Sequence, residues 1–268
     1  MRVVVLSSGS KGNATYIETS KNKILLDAGR NYKYIEEKLN EIGVDIESIN
    51  YIVVSHTHTD HISAIKEFIK KGLVTIVTSS RMIKDIPGLK GYEKKITYED
   101  EFVLDDIKIT AIHSSHDAED SRNFIIEDDN IKLAYITDTG YINQKYFDVL
   151  KNLDVYLFES NHDIELLQNG PYPPWLKRRV LSDVGHLSNE SAAFYLTKLI
   201  GKNTKKIILI HLSETNNLEE IALDTFKKTM EDYNIDFNEV SCAHQNEISE
   251  EVIIWLKYYV SVKLKKII

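Results

Sequence analysis

Short apolar runs, each closed by a polar or charged residue, recur along this chain. Arg2–Leu6 (RVVVL) is apolar and β-branched on consecutive positions, the pattern of a strand buried on both faces. Ala14–Glu18 and Lys23–Leu26 read as a hairpin. Tyr51–Val54, Val74–Thr78, Val155–Phe158 and Lys206–Ile210 are further strand-like runs. Phe102–Leu104, Ile107–Ile112, Asn123–Glu127 and Lys132–Thr137 form a series of short strands, the last two joined by the turn Asp128-Asp129-Asn130. Helical spacing intervenes over 32–42 (Ile35, Leu39, Ile42), 62–71, 190–200 and 218–231, with Ser188 or Asn189 suited to cap the third of these. Residues 80–101 read as irregular, with Pro87-Gly88 marking a turn. Glu239–Ala243 reads as a strand, Val252–Leu256 fits strand or helix, and about 257–268 reads as a C-terminal tail. With no low-complexity linker and no solenoid-type repeat, one domain over 1–268 is the simplest organisation.

The residues that end these runs carry the chemistry. After Tyr51–Val54 comes Ser55-His56-Thr57-His58-Thr59-Asp60-His61, with three of the chain's nine histidines. Imidazole and carboxylate suit Zn, Mn or Fe. His56 and His58, at i and i+2, project to the same side of an extended backbone, and Asp60 and His61 fall on the turn into a helix. Asp27 ends the strand of LLDAG, where a carboxylate caps a helix or supports a site. His116, Asp138 and His211 likewise follow strands. His113 continues the alternation of its own strand and is given a structural role, and His244 a place on the surface. The small-residue loop Ser7–Asn13 lacks the Walker pattern but can turn N–H groups and hydroxyls toward a phosphate.

Composition narrows the options. With 33 basic and 41 acidic side chains the net charge is -8, so no global basic field marks a nucleic-acid binder, although a local patch is compatible with it. Lys177-Arg178-Arg179, beside Tyr172 and Trp175, is such a patch: positive charge with stacking surface, which suits a nucleic-acid strand. The single Cys242 rules out an intrachain disulfide framework, and no apolar run approaches the ~20 residues of a membrane span. The expectation is a soluble, cytoplasmic protein without a signal peptide.

These motifs, in order and each at a strand end, resemble the metallo-β-lactamase superfamily over nearly the whole chain. The resemblance implies an α/β four-layer αββα sandwich of two mixed sheets with helices outside and the site at one edge. It implies two divalent metal ions (Zn or Mn, with Fe also compatible), one held by His56, His58 and His116, the other by Asp60, His61 and His211, with Asp138 bridging them. Asp27 would orient a ligand histidine from behind, as would His162. Asp60 completes a second metal site, which suits phosphodiesters. SSGSKGNATYI, SHDAEDS, ESNHD, YPPWLKRRVLSDVGHLSNESAA and HLSETNN further resemble the YycJ/WalJ group, related to tRNase Z and the β-CASP nucleases.

That group implies a DNA exonuclease, 5'-to-3' in type, acting in DNA repair, with DNA rather than RNA as partner and a metal-bridging hydroxide as nucleophile. Asp60, Asp138 and His186 would be catalytic, His186 by protonating the leaving oxygen or binding the phosphate. Ser8, Ser10, Asn13, Lys177, Arg178, Arg179, Ser188 and Asn189 would contact substrate. Only 73 positions run from Asp138 to His211, too few for a β-CASP cap. A small-molecule hydrolase of the same fold, cleaving a cyclic phosphodiester or a thioester, is the alternative; a non-catalytic module is disfavoured because none of the seven ligand positions is missing.

Overall fold

The structure is a computed structural model that describes residues 1–129, 131–255 and 258–262. Its first sheet draws on β1 (Arg2–Ser7), β2 (Ala14–Glu18), β3 (Lys23–Leu26), β4 (Tyr51–Val53), β5 (Thr75–Ser79) and β6 (Lys95–Tyr98). The second uses β7 (Glu101–Leu104), β8 (Ile107–His113), β9 (Arg122–Asp128), β10 (Ile131–Ile136), β11 (Val155–Glu159), β12 (Lys206–Ile210) and β13 (Val240–Cys242). The chain then returns to the first sheet through β14 (Glu251–Trp255) and β15 (Tyr258–Val262). The strand orders are β15-β14-β1-β2-β3-β4-β5-β6 and β13-β12-β11-β10-β9-β8-β7. Both sheets are mixed: β3, β4, β5 and β6 pair in parallel, as do β10, β11, β12 and β13, while the remaining pairs are antiparallel.

Alternation along the strands explains the layering. Val3 and Val5 of β1 face the second sheet, where they share a core with Leu133, Val155 and Leu157. Val4 and Leu6 point the other way, onto α1 (Tyr32–Glu41) and residues of the 59–71 segment. In the second sheet, Tyr156 and Phe158 alternate with Val155 and Leu157 and pack outward against two later helices through Leu196 and Phe226. The order helix, sheet, sheet, helix follows, and runs such as RVVVL are apolar throughout because both faces are covered.

The remaining helices are α2 (Thr59–Ile62), α3 (Ile65–Lys71), α4 (Phe147–Leu150), α5 (Ile164–Asn169), α6 (Pro174–Val180), α7 (Asn189–Leu199) and α8 (Glu219–Asp232). Three expectations need correction, and one stretch with no expected element gains one. The helix expected over 62–71 is two pieces, because the Ala64 N–H turns away to donate to Ala28 O at 2.9 Å. The stretch 80–101 contains β6, whose weak signal follows from having only Tyr98 buried among its four residues. The basic stretch around 177–179 is helical, opened by Pro174 in the first turn. Of the 257–268 tail, Tyr258–Val262 are an edge strand; Asn130, Leu256, Lys257 and 263–268 lie outside the described residues. Among the described residues no helix is long and apolar enough to cross a membrane.

The inter-sheet core should be the most sensitive part of the fold. Leu157→Ala, fully buried between the sheets, is expected to cost about 2–5 kcal/mol and to lower Tm clearly. Val103→Ala, at 65% exposure, should stay within about 0.5 kcal/mol. Urea denaturation of both variants checks the contrast; equal losses would contradict the layering.

Candidate metal centre

The strands that feed the site end at, or within three residues of, a carboxylate or imidazole side chain. Three of these residues adopt left-handed backbone despite carrying side chains: Asp27 after β3 (φ 59°), Asp138 after β10 (φ 49°) and His211 after β12 (φ 59°). Such conformations cost free energy and persist where the surroundings enforce them. Here they mark the ends of β3 in one sheet and of β10 and β12 in the other, where the site residues gather. The loop Ser7–Asn13 and the 59–61 turn close tightly: Asn13 N–H donates to Asp60 O at 2.8 Å. A Cβ on Gly29 would lie 1.5 Å from Asp60 O, so only glycine fits there.

Six histidines and Asp138 surround one volume. The ligand atoms of His56, His58 and His116 lie within 4.8 Å of one another, as do those of His56, His61 and Asp138, and those of Asp138, Glu159, His186 and His211. The Asp138 carboxylate is the common point: Oδ2 is 3.1 Å from His61 Nε2, while Oδ1 is 3.5 Å from His211 Nδ1 and 3.7 Å from His116 Nε2. Asp60 Oδ2 stands 3.6 Å from His61 Nε2 and 4.0 Å from His211 Nε2.

The histidines are oriented from behind. Asp27, fully buried, takes His61 Nδ1–H at 2.7 Å and also accepts from Ser55 N–H, Ser55 Oγ and Tyr135 OH. Glu159, also fully buried, has Oε1 at 2.8 Å from both His211 Nδ1 and His186 Nδ1, while its Oε2 accepts from Thr139 and Leu187 N–H. His116 Nδ1 lies 3.3 Å from Gly185 O, and Ser55 Oγ is 3.1 Å from His56 Nδ1. With Nδ1 occupied, Nε2 faces the shared volume. The buried Nε2 atoms of His56 and His211 have no hydrogen-bond partner among the described residues. Orphaned buried nitrogens beside a carboxylate are what a divalent cation satisfies.

The charge states agree with this. Burial alone would lower His61 and His211, but the surrounding carboxylates outweigh it. Asp27, Asp138 and Asp60 hold His61 well above 6.5, and Asp138 and Glu159 carry His211 to about 9. Burial would raise Asp138 and Glu159, yet His211 and His61 keep Asp138 well below 3.8, and His186 and His211 draw Glu159 to about 2. Burial and neighbouring His61 push His56 well below 6.5.

Glu159 escaped the sequence reading: it looks like the polar end of β11, and its two histidine partners lie 27 and 52 positions away. The signal was there in form, since VYLFE ends as KILLD does, in a carboxylate after an apolar strand. Several expected substrate contacts are committed elsewhere. Ser8 Oγ accepts from His211 N–H, and buried Asn13 bonds Gly9 and sits 3.0 Å from His61 Nε2. Ser188 caps α7 through Ser191 N–H, and buried Asn189 exchanges hydrogen bonds with Ser160 and Asn217. Lys177 Nζ donates to Gln168 O. Ser10 is exposed on its loop. His162 is buried, but neither ring nitrogen has a described hydrogen-bond partner; burial and His186 hold it down at about 4, and it is the His162 carbonyl that accepts from Asn189 N–H. It orients no ligand candidate through a hydrogen bond.

Metal entry must displace the protons on His61 and His211. Calorimetric titration with Zn or Mn in two buffers of different ionisation enthalpy should therefore show proton release at neutral pH, with the His211 contribution fading as pH rises through about 9. Glu159→Gln removes a charge holding that proton, so release should shrink and metal affinity should fall about 10–100-fold. Release independent of pH from 6.5 to above 9 would contradict this protonation scheme.

Comparison with known proteins places the chain. Residues 22–212 match the family model of the beta-lactamase superfamily domain. The exodeoxyribonuclease YycJ of Bacillus anthracis is 35% identical over 248 residues, covering 91% of this chain and 94% of the relative. The exodeoxyribonuclease WalJ of Streptococcus pneumoniae is 37% identical over 226 residues, covering 81% and 84%. Among solved structures, the metallo-beta-lactamase fold protein YhfI of Bacillus subtilis superposes with a TM-score of 0.70 at 15% identity, covering 92% of this chain and 98% of that one, a likeness of fold. The chain belongs to the beta-lactamase superfamily, as a metal-dependent hydrolase whose nearer kinship is with the YycJ and WalJ proteins.

Proposed function

We propose that this chain is a two-metal phosphodiesterase that degrades DNA from an end, in the 5'-to-3' direction. The observation that carries the reading is Asp138, whose carboxylate lies within 3.7 Å of His116 on one side of a buried cluster and of His61 and His211 on the other. The exodeoxyribonuclease names of its relatives support DNA rather than RNA as substrate. His56, His58 and His116 would hold one ion, Asp60, His61 and His211 the other, and Asp138 both. Two such ions, Zn or Mn with Fe also compatible, would supply a water of lowered pKa and neutralise charge on the phosphoryl oxygen.

The chain's own groups do the rest. Asp27 and Glu159 fix the tautomers of His61 and His211, so that Nε2 of each is presented to a cation. Glu159 also holds His186 Nδ1 at 2.8 Å, and His186 Nδ1 is 3.7 Å from Asp138 Oδ1. That position suits His186 to deliver a proton from Nε2 to the leaving oxygen. The segment between Asp138 and His211 supplies β11, β12 and α4–α7, which supports a single domain over 1–268 with no inserted cap and an open site. A cytoplasmic location and a role in DNA repair complete the reading.

Purified protein incubated with Mn or Zn and oligonucleotides labelled at either end tests it. Early release of the 5' label, with the 3' label retained on shortening strands, is expected, and Asp138→Ala should show no detectable cleavage. No cleavage by the wild type, or equal cleavage by Asp138→Ala, would overturn the reading; early loss of the 3' label would reverse the polarity alone.

A further inference from the structure

Helix α6 carries three side chains on one face. Trp175, Arg178 and Arg179 stand at i, i+3 and i+4, neighbours roughly 5–6 Å apart on a helix surface. Lys177 points away from them, tied to Gln168 O of α5. The C-terminal end of the helix meets the metal-site residues. At its inner end the Arg179 guanidinium grips both oxygens of Asp117, at 2.6 and 2.8 Å. Asp117 Oδ1 in turn lies 3.7 Å from His58 Nε2 and 3.6 Å from His116 Nε2. The end of α6 joins the site again where Val180 O accepts from His186 N–H. Farther out, Arg178 is exposed and has no ion pair or hydrogen bond among the described residues. Trp175, beyond it, leaves 62% of its surface in solvent.

A tryptophan this exposed beside an uncommitted arginine, in a chain of net charge -8, forms a local cationic and aromatic strip that starts at the metal centre. We infer that α6 is the guide for one unpaired nucleic-acid strand. Arg179, positioned by Asp117, meets the backbone next to the scissile bond. Arg178 pairs with a further phosphate, and Trp175 stacks a base. Stacking needs the free π-face that an unpaired base offers and a duplex hides, so the substrate class is a single strand or a frayed end. A phosphate matches the exposed, unpaired Arg178 in charge, and the strip leads through Arg179 and Asp117 to the hydrolytic residues, which an apolar protein partner would not require. The inference rests on the phosphodiesterase reading and specifies its substrate.

The test uses Mn-loaded protein with a phosphorothioate oligonucleotide that resists turnover, offered single-stranded or as a blunt duplex. The single strand should quench tryptophan emission, and Trp175→Ala, which retains Trp255, should lose that quench. Trp175→Ala should also weaken single-strand binding about 5–150-fold, from the ~1–3 kcal/mol of one stacked base. Arg178→Ala should lower the slope of log affinity against log salt by about 0.7, the share of one phosphate contact on a single strand. Unchanged emission at saturation, unchanged affinity in Trp175→Ala, or tighter binding of the blunt duplex would overturn the inference. The two levels separate cleanly. A wild type that cleaves no DNA defeats the nuclease reading. A wild type that cleaves DNA while both variants bind the single strand as it does defeats only the role of α6.

Discussion

Burying a carboxylate is costly unless a partner is brought to it, and this molecule buries three at one edge. Asp27, Asp138 and Glu159 are each at most 3% exposed. Their partners are histidines from other segments: His61 for Asp27, His61 and His211 for Asp138, His186 and His211 for Glu159. Asp27 belongs to the first sheet, and its bond to Tyr135 of β10 crosses to the second, so the electrostatics of the site also fix how the sheets meet. The rest of the architecture is consistent with serving this pairing: parallel strands that end together, and left-handed turns at Asp27, Asp138 and His211 that aim the side chains inward.

The division of labour follows the two histidine nitrogens. Nδ1 is held by carboxylate, carbonyl or hydroxyl on His56, His61, His116 and His211, leaving Nε2 toward the shared volume. His58 breaks the pattern by turning Nδ1 toward His116 Nε2, at 3.1 Å. Without a cation, the positive charge on His61 and His211 balances the buried carboxylates. A divalent ion would take over that balancing role, which is why folding, protonation and metal affinity are linked here.

Much of this was legible in the chain because strand ends announce themselves: an apolar run stops, and a histidine or carboxylate follows. His56, His58, His61, His116, Asp138 and His211 could be found in that way. Glu159 could not be told from an ordinary strand terminus, because its meaning lies in His186 and His211, which only the fold brings near. The polar residues Ser8, Asn13, Ser188 and Asn189 read as free hydrogen-bonding groups. Their backbone and amide partners become visible only once the loops are closed. The three cations at 177–179 illustrate the same limit: composition gives their charge, but helix geometry and the positions of Gln168 and Asp117 decide that Arg178 alone of them lacks a described partner. Strand β6 was lost for a different reason, since an edge strand with one buried residue carries almost no periodic signal.

The central claim is that Asp138 lies between two cations. Anomalous diffraction from crystals grown with Mn or Zn tests it most directly. The account predicts two anomalous peaks about 3.5–4 Å apart, one beside His56, His58 and His116 and the other beside Asp60, His61 and His211, with the Asp138 carboxylate touching both. A single peak, or a pair that leaves Asp138 uncoordinated, would contradict it.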